Sequence, residues 1–471
     1  MDNESKKPNH LKQYVAAFIA SLGGFATGTM LGWSAPVESR LLAQEEVALT
    51  SSQFAWAVSF LNLGGALMSI PVGLAVKPFG ARNTLLLFTI PALIGWILII
   101  WFQNVGMLLT GRLFIGFGAA SFSMTVPIYI GEIASKEIRG TVGSFFQQMV
   151  NLGILYAFSL GMALSVFQLS MLCGMVLIVY GVLFFFMPNT PTHLVLQNNE
   201  PEAMATIKWL RGSHVDAMGE IGDIYSEQLL MHSVDADSEC RGSVWNSLRK
   251  PASIRALIIT QGLMFFMMSC GINPILFYAT SIFQAANVAI EPEVATIILG
   301  GMQILGTLFA SLVLDRVGRR VLLLASGVVM FASVLTLGIY LMLLARDPDQ
   351  VAALGWLPIL ALSLYVTLFS VGFGPIPFMM LGEIFATNVK GPASALANIN
   401  SNIFSFTVSQ LFPLAREAIG SGLTFVIFAV FCFLAVVFVF IFVPETKGMS
   451  LNEIQVMLTR SRGFIVGRIN K

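Results

Sequence analysis

The chain has 471 residues, of which 56% are hydrophobic and only 11% charged, with a formal net charge of +1. A soluble domain carries about twice that charged fraction. One large soluble core is therefore excluded, and the near-zero net charge offers no basic surface to nucleic acid.

Apolar stretches long enough to cross a bilayer recur along the whole sequence. They predict twelve spanning helices near 14–36, 51–75, 83–102, 107–130, 142–165, 168–187, 253–283, 291–313, 320–344, 353–381, 392–416 and 420–443. The expected architecture is an all-α membrane protein, with an N-terminal segment (1–13) and a first six-helix bundle (14–187). A polar linker (188–252), a second six-helix bundle (253–443) and a C-terminal tail (444–471) complete it. A cytoplasmic N-terminus and an even number of spans put both termini on that side. All of the 26 Lys and Arg except Arg40, Arg112, Arg346 and Arg416 then lie in cytoplasmic segments, as the positive-inside rule requires. The first twelve residues are polar and mildly basic, and no small-residue cleavage site follows the first span. That span reads as a retained signal-anchor.

The linker contains "PEAMATIKWLRG" and "DAMGEIGDIYSEQLLMHSV". Met204, Ile207 and Leu210 share one helical face, and Ile221, Ile224 and Gln228 another. This favours short amphipathic helices on the cytoplasmic surface over a disordered tether. Cys173, Cys240, Cys270 and Cys432 show neither a pairing nor a metal spacing. His10, His193, His214 and His232 all fall in cytoplasmic segments and read as solvated surface residues. The seventh span holds "MFFMMSCGINPILFY", where Pro274 has no N–H for the Cys270 carbonyl and Gly271 adds freedom. A break is expected there, with Phe277 and Tyr278 on an outer half able to act as an extracellular lid.

The two halves repeat each other. "GEIASKEIRG" (131–140) returns as "GEIFATNVKG" (382–391), "VKPFGARN" (76–83) as "DRVGRRVL" (315–322), and "MPNT" (187–190) as "VPET" (443–446). Parallel repeats of this kind mark transporters that alternate access between two bundles. The repeated charges lie where helices leave the membrane: Arg82, Glu132 with Arg139, Glu383 with Lys390, and Asp315 with Arg316 and Arg319. Either they bridge the bundles as a cytoplasmic gate or they are positive-inside charge with passive partners. The matched spacing favours the gate.

These motifs resemble the sugar porter family of the major facilitator superfamily over nearly the whole chain. "GRLFIGFGAASFSMTVPIYIGEIASKEIRG" (111–140) resembles its fourth-span signature, "DRVGRR" (315–320) its loop motif, and "GFGPIPFMMLGEIF" (372–385) its tenth span. "PNTPTHL" (188–194) and "PETKG" (444–448) resemble the signatures after spans six and twelve. Within the family, "GLMFFMMSCGINPILFYATSIF" is most similar to insect facilitated trehalose or hexose transporters. The sequence carries no nucleotide-binding Gly-Lys loop, catalytic dyad or metal cluster, so neither a cofactor nor enzyme activity is expected. The resemblance implies a plasma-membrane carrier whose substrate-binding set is Gln147, Asn273, Gln303, Phe378 and Asn402. Amides that donate and accept, with an aromatic face, suit a sugar. The residues alone equally allow these amides to act as glue between helices.

Four positions depart from the family. Met267 and Met268 stand where it carries Gln-Gln, and Ile403 where a Trp follows the eleventh-span Asn; Phe378 itself replaces a Trp. Lost amides weaken hexose binding or redirect specificity, although methionine also fills space adaptably. Proton-coupled members carry a first-span Asp, whereas "GGFATGTMLGW" (23–33) offers Thr27, so downhill transport is expected. A nutrient sensor built on the same fold, or a carrier of a non-sugar solute, are the competing readings. The short tail favours transport over sensing.

Overall fold

The computed structural model describes residues 10–43, 49–135, 137–212, 216–226, 229, 251–385, 387–449 and 451–460. The described residues are almost entirely helical. The first half comprises α1 (Leu11–Gly32), α2 (Ser34–Leu42), α3 (Ser51–Ile100), α4 (Val105–Ile133), α5 (Arg139–Gly143), α6 (Phe145–Ala163) and α7 (Val166–Phe185). The linker supplies α8 (Pro191–Leu196) and α9 (Glu200–Arg211), followed by helical residues 217–226. The second half comprises α10 (Pro251–Ser269), α11 (Ile272–Phe277), α12 (Ala279–Ala285), α13 (Pro292–Val317) and α14 (Arg319–Arg346). It continues with α15 (Leu357–Val371), α16 (Ile376–Ile384), α17 (Thr387–Ile419), α18 (Ser421–Phe442) and α19 (Leu451–Arg460).

Nine stretches among the described residues are long and apolar enough to cross a membrane. One of them, α3, holds two spans, because Gly80 breaks it at φ 76° and ψ 164°. Helices α6 and α17 are long enough but more polar, owing to Gln147, Gln148 and Asn151 in one and Asn398, Asn400 and Asn402 in the other. With those, twelve spans form two six-helix bundles. Three helices of the first half that begin on the face opposite the linker carry side-chain caps. Thr50 with Gln53 and Ser165 with Gln168 form capping boxes, and Asn104 accepts from the Met107 amide at 2.9 Å. These caps satisfy amides that a helix start leaves without partners.

The linker is ordered through its apolar faces. Leu194, Val195, Ala203, Ile207, Ala217 and Ile221 form a small core, with Met204 and Ile224 packed against it. Arg211 pairs with Glu220 at 2.5 Å, and Lys12 lies over the Trp209 ring, which ties the start of α1 to α9. Gln228 lies outside the described residues. His193 departs from the expectation of a solvated histidine: it is 5% exposed, and its ring packs on Gly80.

The loop glycines of the two halves confirm the repeat at atomic level. Gly80 and Gly318 both sit at positive φ, 76° and 107°, where a glycine meets no steric cost. Two residues on, Arg82 donates to the Phe185 carbonyl and covers that ring, while Arg320 donates to the Phe440 carbonyl at 2.7 Å and covers that ring.

Candidate functional site

The site is built along the seam between the bundles, where α6 faces α13 and α17 faces the first span of α3. On the first seam Gln147 is exposed, and its amide donates to Asn151 at 3.3 Å. Asn151 crosses to the other bundle, donating to the Thr307 hydroxyl at 2.5 Å and the Gln303 carbonyl at 3.5 Å. Gln303 is 5% exposed, and its side-chain oxygen has no partner among the described residues. On the second seam the Asn402 amide donates to the Asn398 carbonyl at 2.9 Å, and its oxygen lies over Gly65 of α3. A Cβ at Gly65 would come within 2.6 Å of that oxygen, so the glycine is what admits the amide between the bundles.

Asn273 is half-buried and donates to the Ser405 hydroxyl of α17 and, at 3.3 Å, to the Met268 sulfur. Met267 and Met268 are 7% and 8% exposed, so they fill core volume beside the site. Phe378 and Ile403 are exposed, and neither joins the amide network. Two amides not singled out from the sequence do: Gln261 of α10 accepts from Asn400 of α17 at 2.7 Å. Gln148, Gln261, Gln303 and Gln410, on four helices, each keep one buried amide atom without a partner among the described residues. Their shared signal was a carboxamide in an apolar span, and four amides with a family counterpart masked the rest.

The break in the seventh span is present, and of the two residues expected to cause it the glycine is the one at the break. Gly271 adopts φ 93°, a left-handed conformation that ends α10 and starts α11. Pro274 lies within the first turn of α11, where its missing N–H costs nothing. The Cys270 carbonyl is not left empty, because the Tyr365 hydroxyl donates to it at 2.9 Å. Phe277 and Tyr278 are fully buried, and Tyr278 packs edge-on against Phe54 of the first bundle and on Phe412 of its own.

The bundles meet across the face opposite the linker. Glu38 of α2 lies 3.9 Å from Arg416 of α17, and Trp56 touches Phe406. Arg112, one of the four bases that the sequence reading set away from the cytoplasmic side, is fully buried. It donates to the Ala57 and Met30 carbonyls and the Ser34 hydroxyl at 2.8–3.0 Å, and lies over Trp33.

On the linker face the repeated charges find partners within their own bundles. Arg319 pairs with Glu383 at 3.1 Å, and the Thr446 hydroxyl donates to Glu383 at 2.6 Å. Glu445 accepts from the Arg319 and Arg320 amides at 2.9 and 3.1 Å, an anion placed at a helix N-terminus. Glu132 lies beside Thr190 and not Arg139, which reaches the Ala134 carbonyl at 3.5 Å. Arg316 is exposed, with its carbonyl accepting from Lys447. The side chains of Asp315 and Lys390 lie outside the described residues.

Two bundles of six spans, sealed on one face and carrying unspent amides along their seam, define a membrane transporter. The family profile described as "Sugar (and other) transporter" matches residues 12–458. The chain belongs to the sugar porter family of the major facilitator superfamily. It is 35% identical over 447 residues to the facilitated trehalose transporter Tret1 of Bombyx mori, covering 95% of this chain and 87% of that one. The Tret1 of Anopheles gambiae is 33% identical, with 94% of this chain and 55% of that protein covered. The chain thus spans about half the length of several of the relatives it matches. Among solved structures, the inward-open xylose transporter XylE of E. coli aligns with a TM-score of 0.78 at 22% identity. That alignment covers 94% of this chain and 99% of XylE.

Proposed function

We propose that the protein is a facilitative carrier that moves a sugar, trehalose or a hexose, down its gradient across the plasma membrane by alternating access. Both termini and the linker are then cytoplasmic. The excess of Lys and Arg on the linker face supports this orientation. The sealed face is then extracellular, and the cavity opens inward. The observation that carries the reading is the set of four glutamines within the spans, Gln148, Gln261, Gln303 and Gln410, that each keep a buried amide atom without a partner among the described residues. A polyhydroxyl ligand brings both donors and acceptors to such groups, and an unpaired polar group in a bilayer is costly. Gln147, Asn273, Gln303, Asn402 and Phe378 are the binding residues of this reading. In it Arg82, Glu132, Arg139, Asp315, Arg316, Arg319, Glu383 and Lys390 serve the cytoplasmic gate, and Tyr278, Phe277 and Pro274 the extracellular lid.

A second reading, a carrier of a less polar solute, draws support from Met268, whose sulfur occupies the Asn273 amide. Uptake of labelled trehalose, glucose, fructose and polyols into proteoliposomes separates the two, with wild type and Met267→Gln/Met268→Gln side by side. Saturable sugar uptake by wild type supports the first. Sugar uptake by the double variant alone supports the second. If neither protein moves any solute, the transport reading fails and a sensing role replaces it.

A further inference from the structure

We propose that Glu38 and Arg416 form a charged latch across the extracellular seam, and that this latch sets how often the empty carrier presents its site outward. The inference rests on the orientation given above. Glu38 is 2% exposed, lies at the outer end of the first span, and belongs to the first bundle. Its counter-charge comes from the second bundle: Arg416, in the last turn of α17, brings Nη2 to 3.9 Å from Glu38 Oε1. Arg416 also donates to the Ser281 hydroxyl at 3.4 Å and lies over the Phe412 ring at 6.0 Å. The second carboxylate oxygen of Glu38 has no hydrogen-bond partner among the described residues.

The other buried charge nearby behaves differently. Arg112 donates all three of its hydrogen bonds to α1, α2 and α3 of its own bundle, so those bonds persist when the bundles part. Glu38 is neutralised only across the seam. Opening the extracellular face must separate it from Arg416, and the Phe54–Tyr278 ring contact must part at the same time. Each charge then regains water. A pair of this kind favours the closed face by the difference between its mutual attraction and the hydration it forgoes. Removing one charge leaves the other partly buried and alone, which destabilises the closed face alone. In an uncoupled carrier the ratio of maximal rate to KM must agree for influx and efflux. A latch therefore cannot pump; it raises the external KM by lowering the fraction of carriers open outward.

Phe54→Cys is the reporter, because Phe54 is fully buried by the closed seam. Its labelling by a membrane-impermeant maleimide is followed in intact cells and in inverted vesicles, with Cys240→Ser throughout, in otherwise wild-type, Glu38→Gln, Arg416→Gln and doubly neutralised backgrounds. Each single neutralisation is expected to speed labelling about tenfold, equal to about 1.4 kcal/mol. The double variant is expected to label no faster than the singles, and the external KM to fall while the internal KM rises. Unchanged labelling in both single variants, or effects that multiply in the double variant, overturns the latch. Labelling confined to inverted vesicles overturns the orientation instead, and the ratios between backgrounds still decide the latch.

Discussion

Gly271→Ala tests whether the broken seventh span is built into the backbone. The glycine sits at φ 93°, so any side chain there meets the left-handed penalty, about 1–2 kcal/mol. The added Cβ would also lie 2.7–2.9 Å from three atoms of the Phe428 ring, which is held between Phe412 and Phe425 and has little room to give. Overpacking of that kind costs about 1–3 kcal/mol, so the expected total is about 2–5 kcal/mol. Unfolding by SDS in mixed micelles, followed by tryptophan fluorescence, measures it. Phe428→Leu relieves the contact and leaves the backbone term. The double variant should then lose less than the sum of the singles, by about the overpacking share. Gly301→Ala is the control, since its Cβ meets nothing within 4 Å inside the regular helix α13, and it should be neutral or mildly stabilising. A loss below about 1 kcal/mol for Gly271→Ala would refute the argument.

Three further outcomes are expected. Tyr365→Phe removes the hydroxyl given to the Cys270 carbonyl and should cost about 1–3 kcal/mol in the same assay, so a neutral effect counts against that bond's importance. Glu383→Gln removes the carboxylate that Arg319 and Thr446 share, and should shift uptake kinetics while the protein still folds. Identical KM and rate would end the gating role. Burial holds the His193 imidazole below its usual pKa of 6.5. As pH falls through that value the unfolded chain takes up its proton first, so stability is complete above it and declines below. Melting temperatures should therefore drop on acidification, and less so in His193→Gln; an equal drop in both would show that another group is responsible.

The spans, the linker helices and the twofold repeat were legible because each rests on local pattern: apolar length, a helical face, a repeated motif. Amides in apolar spans were legible for the same reason. Partners brought in from distant helices were not. Nothing in "CGINP" says that Tyr365, far along the chain, supplies the Cys270 carbonyl, so the sequence shared the break between Pro274 and Gly271. His193 read as polar surface because the glycine turn that buries it lies in another span pair. Glu38 and Arg416 carry opposite charges at the ends of two helices, and only the closed seam makes them neighbours.

Helices α6 and α17 carry the seam amides and are also the two spans least suited to lipid. A segment of that polarity is a poor substrate for insertion on its own, since each unpaired amide pulls it back toward water. Each is followed almost at once by a strongly apolar partner: Val166–Phe185 begins three residues after α6 ends, and Ser421–Phe442 two residues after α17. The physical route into the bilayer is as a hairpin, with the second arm drawing in the first. Substitutions that make α7 or α18 more polar should therefore strand the neighbouring span during synthesis and invert everything that follows it, even though they touch no residue of the seam.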